Sequence, residues 1–219
     1  ILVTTRRGTE GKMKISFSSS VGLTRPTRML EMANSYETAL RYNEMEINDG
    51  KKLSELSFSP YAIEAFRTHS DPIMYPDMDW NEYLYKDVSV QTQHNVNVSG
   101  GTSRVRYFVS LGMLYQDGMM KELPGLDYDG NYSYTRYNFR TNLDIDVTKT
   151  TRIKLTLGGI IGNTSQPIGG SNGTWSALSQ SQPFSSPGII DGKLMNCDER
   201  YFGSMRLISA LAAFYGHGY

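Results

Sequence analysis

The chain has 219 residues, with 22 basic and 22 acidic side chains and a formal net charge of zero, which offers no basic field to argue for nucleic acid, and it has no acidic tail. Tyrosine (15) outnumbers phenylalanine (8) and tryptophan (2), and there are 21 glycines, a composition suited to strands and tight turns. A lone cysteine, Cys197, rules out a disulfide within the chain, and no run of about 18 apolar residues is present to make a transmembrane helix.

Residues 1–5, Ile-Leu-Val-Thr-Thr, read as a strand already under way, so an interior piece of a longer protein is expected. A charged turn, 6–12, leads into a strand over 12–24. There Met13, Ile15, Phe17, Val21 and Leu23 alternate with Lys14, Ser16, Ser18, Ser20 and Gly22. The segment from about 25 to 88 is not strand. It holds a helix over 32–49, capped at Asn34 with Glu37 three residues on, and with Met32, Tyr36, Ala39, Leu40 and Ile47 near one face. A second helix covers 59–69, with Pro60 in its first turn, and a Pro-broken loop over 71–86 runs into a third helical turn. An insert of more than 60 residues is too long for a neutral connector, so it is expected to be functional or packed.

Strands resume over 91–99, then over 104–117 after a tight turn at 99–103. In 105–116, Val105, Tyr107, Val109, Leu111, Met113 and Tyr115 alternate with Arg106, Phe108, Ser110, Gly112, Leu114 and Gln116. A medium loop fills 118–131. The strand at 133–147 sets Tyr137, Phe139, Thr141, Leu143, Ile145 and Val147 against Arg136, Asn138, Arg140, Asn142, Asp144 and Asp146. After a turn at 148–151, Ile153, Leu155, Leu157, Gly159 and Ile161 alternate with Arg152, Lys154, Thr156 and Gly158, and a long loop begins near Asn163.

Alternation defines two faces but not which one meets water. On a soluble sandwich the apolar face packs a core; on a membrane barrel it meets lipid. Two features favour the barrel. Three apolar faces run five or six positions, about 11 residues each, which matches a tilted membrane strand and exceeds the usual soluble strand of about 5–6 residues. Tyrosines also gather near strand ends, as interfacial girdles do. Connections that alternate short and long fit the same plan.

The residues also resemble a family. "ILVTTRRGTEGK" resembles the end of the plug and the start of the barrel in SusC/RagA-type TonB-linked outer-membrane receptors. "DPIMYPDMDWNEYLYK" is similar to that family's Asp-Pro, Tyr-Pro, Asp-Trp segment, here Asp71, Pro72, Tyr75, Pro76, Asp79 and Trp80. "QTQHNVNVSGGTSRVRYFVSLGMLYQDGMMK" resembles its most distinctive hairpin, and "YTRYNFRTNLDIDVTKTTRIKL" continues in register. The likeness covers about 1–163 and thins over 181–194; residues 195–219 are not placed by it.

The resemblance implies an all-β fold with helical loop insertions, about five strands of a transmembrane antiparallel barrel of ~22 strands around a plugged lumen. It implies residues 1–8 as the end of the plug and 9–219 as the first part of the barrel. Val105, Tyr107, Val109, Leu111, Met113, Tyr137, Phe139, Leu143, Ile145, Ile153, Leu155 and Leu157 are then expected to face lipid. Arg106, Ser110, Arg136, Asn138, Arg140, Asn142, Asp144 and Lys154 are expected to face the lumen. It further implies import of oligosaccharides or peptides, a SusD-like surface lipoprotein as lid, TonB acting through an upstream segment, and an outer-membrane location, with no cofactor, no nucleic acid and no catalysis. The alternative from another class is a soluble or surface β-sandwich that binds carbohydrate.

Asp71, Asp77 and Asp79 could be paired acids or cation ligands, but aspartates in a Pro-rich turn more often cap backbone donors. His69, His94 and His217 lack metal-site spacing. Asn97, Asn131, Asn163 and Asn172 match a glycosylation pattern, which is coincidental if the source is bacterial. "GGSNGTWSALSQSQPF" lacks the Lys-Ser/Thr ending of a phosphate loop. Trp80, Tyr83, Tyr85 and Trp175 sit in expected loops and are candidate stacking surfaces for a ligand, although loop aromatics more often pack their own loop.

Overall fold

The computed structural model describes residues 6–123, 130–166, 170–195 and 210–211. The strand expected at 1–5, Cys197 and His217 lie outside them. The chain divides into two compact units.

The first unit is an antiparallel meander of five strands in chain order: β1 (Gly11–Thr24), β2 (Ser89–Gly101), β3 (Val105–Gln116), β4 (Ser133–Asp146) and β5 (Arg152–Ser165). Its sheet is open. The strands are 12 to 14 residues long, about twice the usual soluble length. Leu111 sits opposite Val96 on one side and Phe139 on the other, and Phe17 is opposite Val96. Residues directly opposite share a face, so the apolar positions of all five strands form one continuous surface. Its apolar side chains are exposed or half-buried and none is buried, with Phe17 exposed by 67% and Leu23 by 71%.

The β2–β3 turn is narrower than the 99–103 expected. Ser99, Gly100 and Gly101 belong to β2, and only 102–104 reverse the chain. Glycine is required at 101, because a Cβ there would lie 2.4 Å from the Val105 carbonyl oxygen. Thr102 closes the turn by accepting from the Arg104 and Val105 amides at 3.3 and 3.2 Å. Thr148 does the same after β4, accepting from the Thr151 amide at 2.9 Å.

The second unit contains most of the insert. Helix α1 (Ser35–Asn48) is capped by Asn34, whose side chain accepts from the Glu37 amide at 2.8 Å. The expected apolar stripe is buried only in part: Ala39 is buried and Tyr36 packs on the same cluster. Leu40 and Ile47 are exposed, and Met32 lies outside the helix. The buried residues are Ser35, Ala39, Asn43 and Glu46. Polar groups can be buried there because each is bonded. Asn43 donates to the Phe58 carbonyl at 2.7 Å and accepts from the Phe58 amide at 3.1 Å. Glu46 accepts from the Ser57 amide at 2.7 Å, the Ser57 hydroxyl at 2.6 Å and Lys51 at 2.6 Å.

Helix α2 (Pro60–Thr68) follows, with Pro60 in the first turn and Ser59 as cap. Phe58, Phe66 and Phe184 are fully buried with Ala39 and Ala62. Helix α3 (Trp80–Leu84) belongs to a second cluster with Met120, Leu178, Ala210 and Leu211. The region from Asn163 is not a plain long loop. Strand β5 continues to Ser165, helix α4 (Gly170–Gln180) follows, and β6 (Gly188–Ile190) pairs with β7 (Lys193–Met195). Helix α4 escaped the sequence reading because Gly, Ser and Asn dominate it and are poor helix formers. Burial of Thr174 and Leu178, one turn apart, holds it.

Candidate functional site

The polar face of the sheet carries the densest set of fixed charges and amides in the first unit. The register puts Arg106 opposite Asp144, Ser110 opposite Arg140 and Asn97, Gly112 opposite Asn138 and Asn95, and Asp144 opposite Lys154. Arg106, Ser110, Arg136, Asn138, Arg140, Asn142, Asp144 and Lys154 thus share one face. Val105, Tyr107, Val109, Leu111, Met113, Tyr137, Phe139, Leu143, Ile145, Ile153, Leu155 and Leu157 share the other.

Near the short-turn end, the segment Arg6–Gly8 lies against the polar face. The Asn142 amide donates to the Arg6 carbonyl. Arg7 donates to Asp144 at 2.6 Å. Gly8 is pressed onto β3, where a Cβ would come within 2.3 Å of the Tyr107 carbonyl oxygen. Asn142 and Asp144 are buried in consequence. Beside them Asp146 pairs with Arg106 at 2.8 Å and with Arg152. Both aspartates of β4 are therefore matched by arginines.

Further along the strands the face opens into a groove of about 1000 Å³ lined by Gln93, Asn95, Ser110, Arg136, Asn138 and Arg140 among others. Gly112 lies beneath two of its lining residues. A Cβ there would lie 2.6 Å from Asn138 Oδ1 and 2.8 Å from Asn95 Oδ1, so the two carboxamides close over a bare backbone. Arg6, Arg7, Gln93 and Asn95 were not among the residues singled out from sequence. The sequence does not show that Asn95 meets Asn138 across β3.

The apolar face carries a polar pair. Ser19 Oγ is 2.9 Å from His94 Nδ1, and the Phe17 ring stacks near the imidazole with centroids 6.5 Å apart.

The loop aromatics belong to the second unit. Trp80 is buried, and its indole donates to the Gln182 carbonyl at 2.9 Å. It is a core residue, and no ring face is left for a ligand. Tyr83 packs edge-on against Trp80 and accepts from the Ile189 amide at 3.2 Å. Gly188, at φ +90°, lies against that ring. Tyr85 bridges to Met120, is half-buried, and its phenol is pushed up by burial. Trp175 is exposed on α4.

The aspartates of the Pro-rich loop are caps. Asp79 accepts from the Asn81 and Glu82 amides, Asp71 from those of Ile73 and Met74, and Asp77 from Ser35 at 2.7 Å. Among the described residues no three acidic, histidine or cysteine side chains are grouped to hold a metal ion.

No protein-family model matches the chain, and no curated protein matches it. Solved structures do. The fold is similar to that in the structure of the RagAB peptide transporter, with a TM-score of 0.54 and 19% identity over 74% of this chain. It is also similar to the RagAB peptide importer in its closed-closed state (TM-score 0.51, 17% identity) and in its open-open state (0.51, 16%). The chain spans 19% of the length of each of those chains.

Proposed function

We propose that this chain is part of the wall of a SusC/RagA-type, TonB-dependent outer-membrane receptor, with its apolar face on lipid and its polar face on a plugged lumen. The observation that carries the reading is the position of Arg6–Gly8. The chain crosses the polar face, where Asn142 and Asp144 hold it, while nothing buries the apolar side chains, which are exposed or half-buried. A soluble sandwich would need the reverse, with the apolar face covered. The length of the strands and the likeness to RagAB support the same reading.

In this reading the receptor imports large nutrients, oligosaccharides or peptides, using the inner-membrane proton gradient relayed by TonB through an upstream segment. A SusD-like surface lipoprotein closes the outer mouth. The turns 102–104 and 147–151 face the periplasm, and the helical insert stands at the outer surface. The chain does no covalent chemistry on the cargo. The test is fractionation of the full-length protein together with a binding screen of the receptor–lipoprotein pair over glycans and peptides. Recovery in the outer membrane with saturable binding is expected. Recovery in the soluble fraction would contradict the reading.

A further inference from the structure

We infer that the groove around Arg136 and Arg140 is a binding site for the carboxylates of an extended, acidic peptide segment. The inference rests on the import reading only for where the peptide comes from. Among the described residues neither arginine has an ion-pair or hydrogen-bond partner, and Arg136 Nε is buried without an acceptor. The two aspartates on the same strand cannot serve them. Asp144 is taken by Arg7, and Asp146 by Arg106 and Arg152. A buried guanidinium donor without an acceptor is costly, and a carboxylate relieves it best because it matches the guanidinium fork.

The surroundings are shaped for more than a small ion. The residue opposite Arg140 on β5 is Gly158, so no β5 side chain fills the space beside that cation, while Gly162, opposite Arg136, lies against the Tyr134 ring. The two arginines are four residues apart on one strand, about 13 Å at ~3.4 Å per residue. An extended peptide places carboxylates four residues apart at the same spacing. Between them the carboxamides of Asn95 and Asn138 converge over Gly112. Amides both donate and accept, as a peptide backbone requires.

The test uses the full-length receptor purified with its lipoprotein. Binding is measured by calorimetry for four probes: a glutamate hexapeptide, an amidated glutamine hexapeptide, a hexagalacturonate and its methyl ester. The glutamate peptide is expected to bind at least tenfold tighter than the glutamine peptide. Arg136→Gln/Arg140→Gln is expected to remove that preference while leaving the glutamine peptide's affinity within about twofold. Lysine at both positions should restore part of the preference. A preference that survives the double glutamine variant overturns the site. Equal weakening of both peptides overturns it too, since the arginines would then hold the protein's own acidic segments. A preference confined to hexagalacturonate overturns the peptide assignment. A folded outer-membrane receptor that binds none of the probes overturns the site alone, whereas a soluble full-length protein overturns the import reading.

Discussion

Arg7 and Asp144 lie 137 residues apart in sequence and 2.6 Å apart in space. Their ion pair, with the Asn142–Arg6 bond beside it, ties the chain ahead of β1 to the polar face of β4. Asp144→Ala is expected to loosen this tie. The loss is modest, about 1 kcal/mol, because Arg7 is 42% exposed and water can solvate its freed charge. Trypsin cleavage after Arg6 and Arg7 in the full-length protein should accelerate several-fold. An unchanged cleavage rate would show that the pair holds nothing.

Gly8→Ala should be more severe than its size suggests. The added methyl would overlap the backbone of Tyr107, which cannot rotate away as a side chain could. The segment is expected to lift from the sheet, giving the same protease sensitivity as Asp144→Ala but larger. Ala at 8 with wild-type sensitivity would contradict the packing described.

The strands were legible in the sequence because two unlike surroundings act on the two faces, and alternation records both. Val105 to Tyr115 and Tyr137 to Val147 show this without any knowledge of their partners. The groove was not legible. It arises from register, which sets Arg140 against Gly158 and brings Asn95 and Asn138 over Gly112 across three strands. The face of α1 was legible only at Ala39 and Tyr36, for a related reason. Apolar periodicity assumes that burial selects apolar side chains, whereas here Asn43 and Glu46 are buried to staple the chain at Ser57 and Phe58. Trp80 was read as a loop aromatic, but its partner, the Gln182 carbonyl, lies 102 residues away.

Glu46 makes the helical insert acid-sensitive. Burial pushes its carboxyl up, but the bonds from Lys51 and Ser57 outweigh burial and hold it below its ordinary value. A lowered folded pKa means stability that is complete above the ordinary carboxylate range and is lost as pH falls toward the folded value. Lys51, raised chiefly by its bond to Glu46, acts in the opposite direction, and its contribution is lost only as pH rises past the ordinary lysine range. Hydrogen exchange over residues 35–58 should therefore speed up in acid. Glu46→Gln should cost about 1–3 kcal/mol at neutral pH and flatten the acid dependence. A variant with wild-type protection and an unchanged acid limb would count against this role.

Ser19 and His94 test the apolar face in a different way. Ser19→Ala leaves a ring nitrogen without its partner and should destabilise by about 1 kcal/mol, whereas Ser19→Ala with His94→Leu removes both polar groups and should be neutral or stabilising. Thermal unfolding of the detergent-solubilised full-length protein compares the two. A double variant less stable than Ser19→Ala would contradict lipid at this face.

The central claim is that the polar face lines a lumen and the apolar face meets lipid, and adjacent positions on neighbouring strands decide it. Leu111 is midway along β3 on the apolar face, and Asn97 pairs with Ser110, one residue away, on the polar face. Asn97 is the better control because Arg140 already faces Ser110. Arginine is placed at each position in the full-length protein, and the folded fraction in the outer membrane is measured by heat-modifiable gel migration. Leu111→Arg is expected to cost ~2–4 kcal/mol, the figure for arginine facing lipid near the midplane, and to empty the folded band, while Asn97→Arg keeps it. Equal tolerance at both positions, or loss at Asn97 alone, would contradict the account.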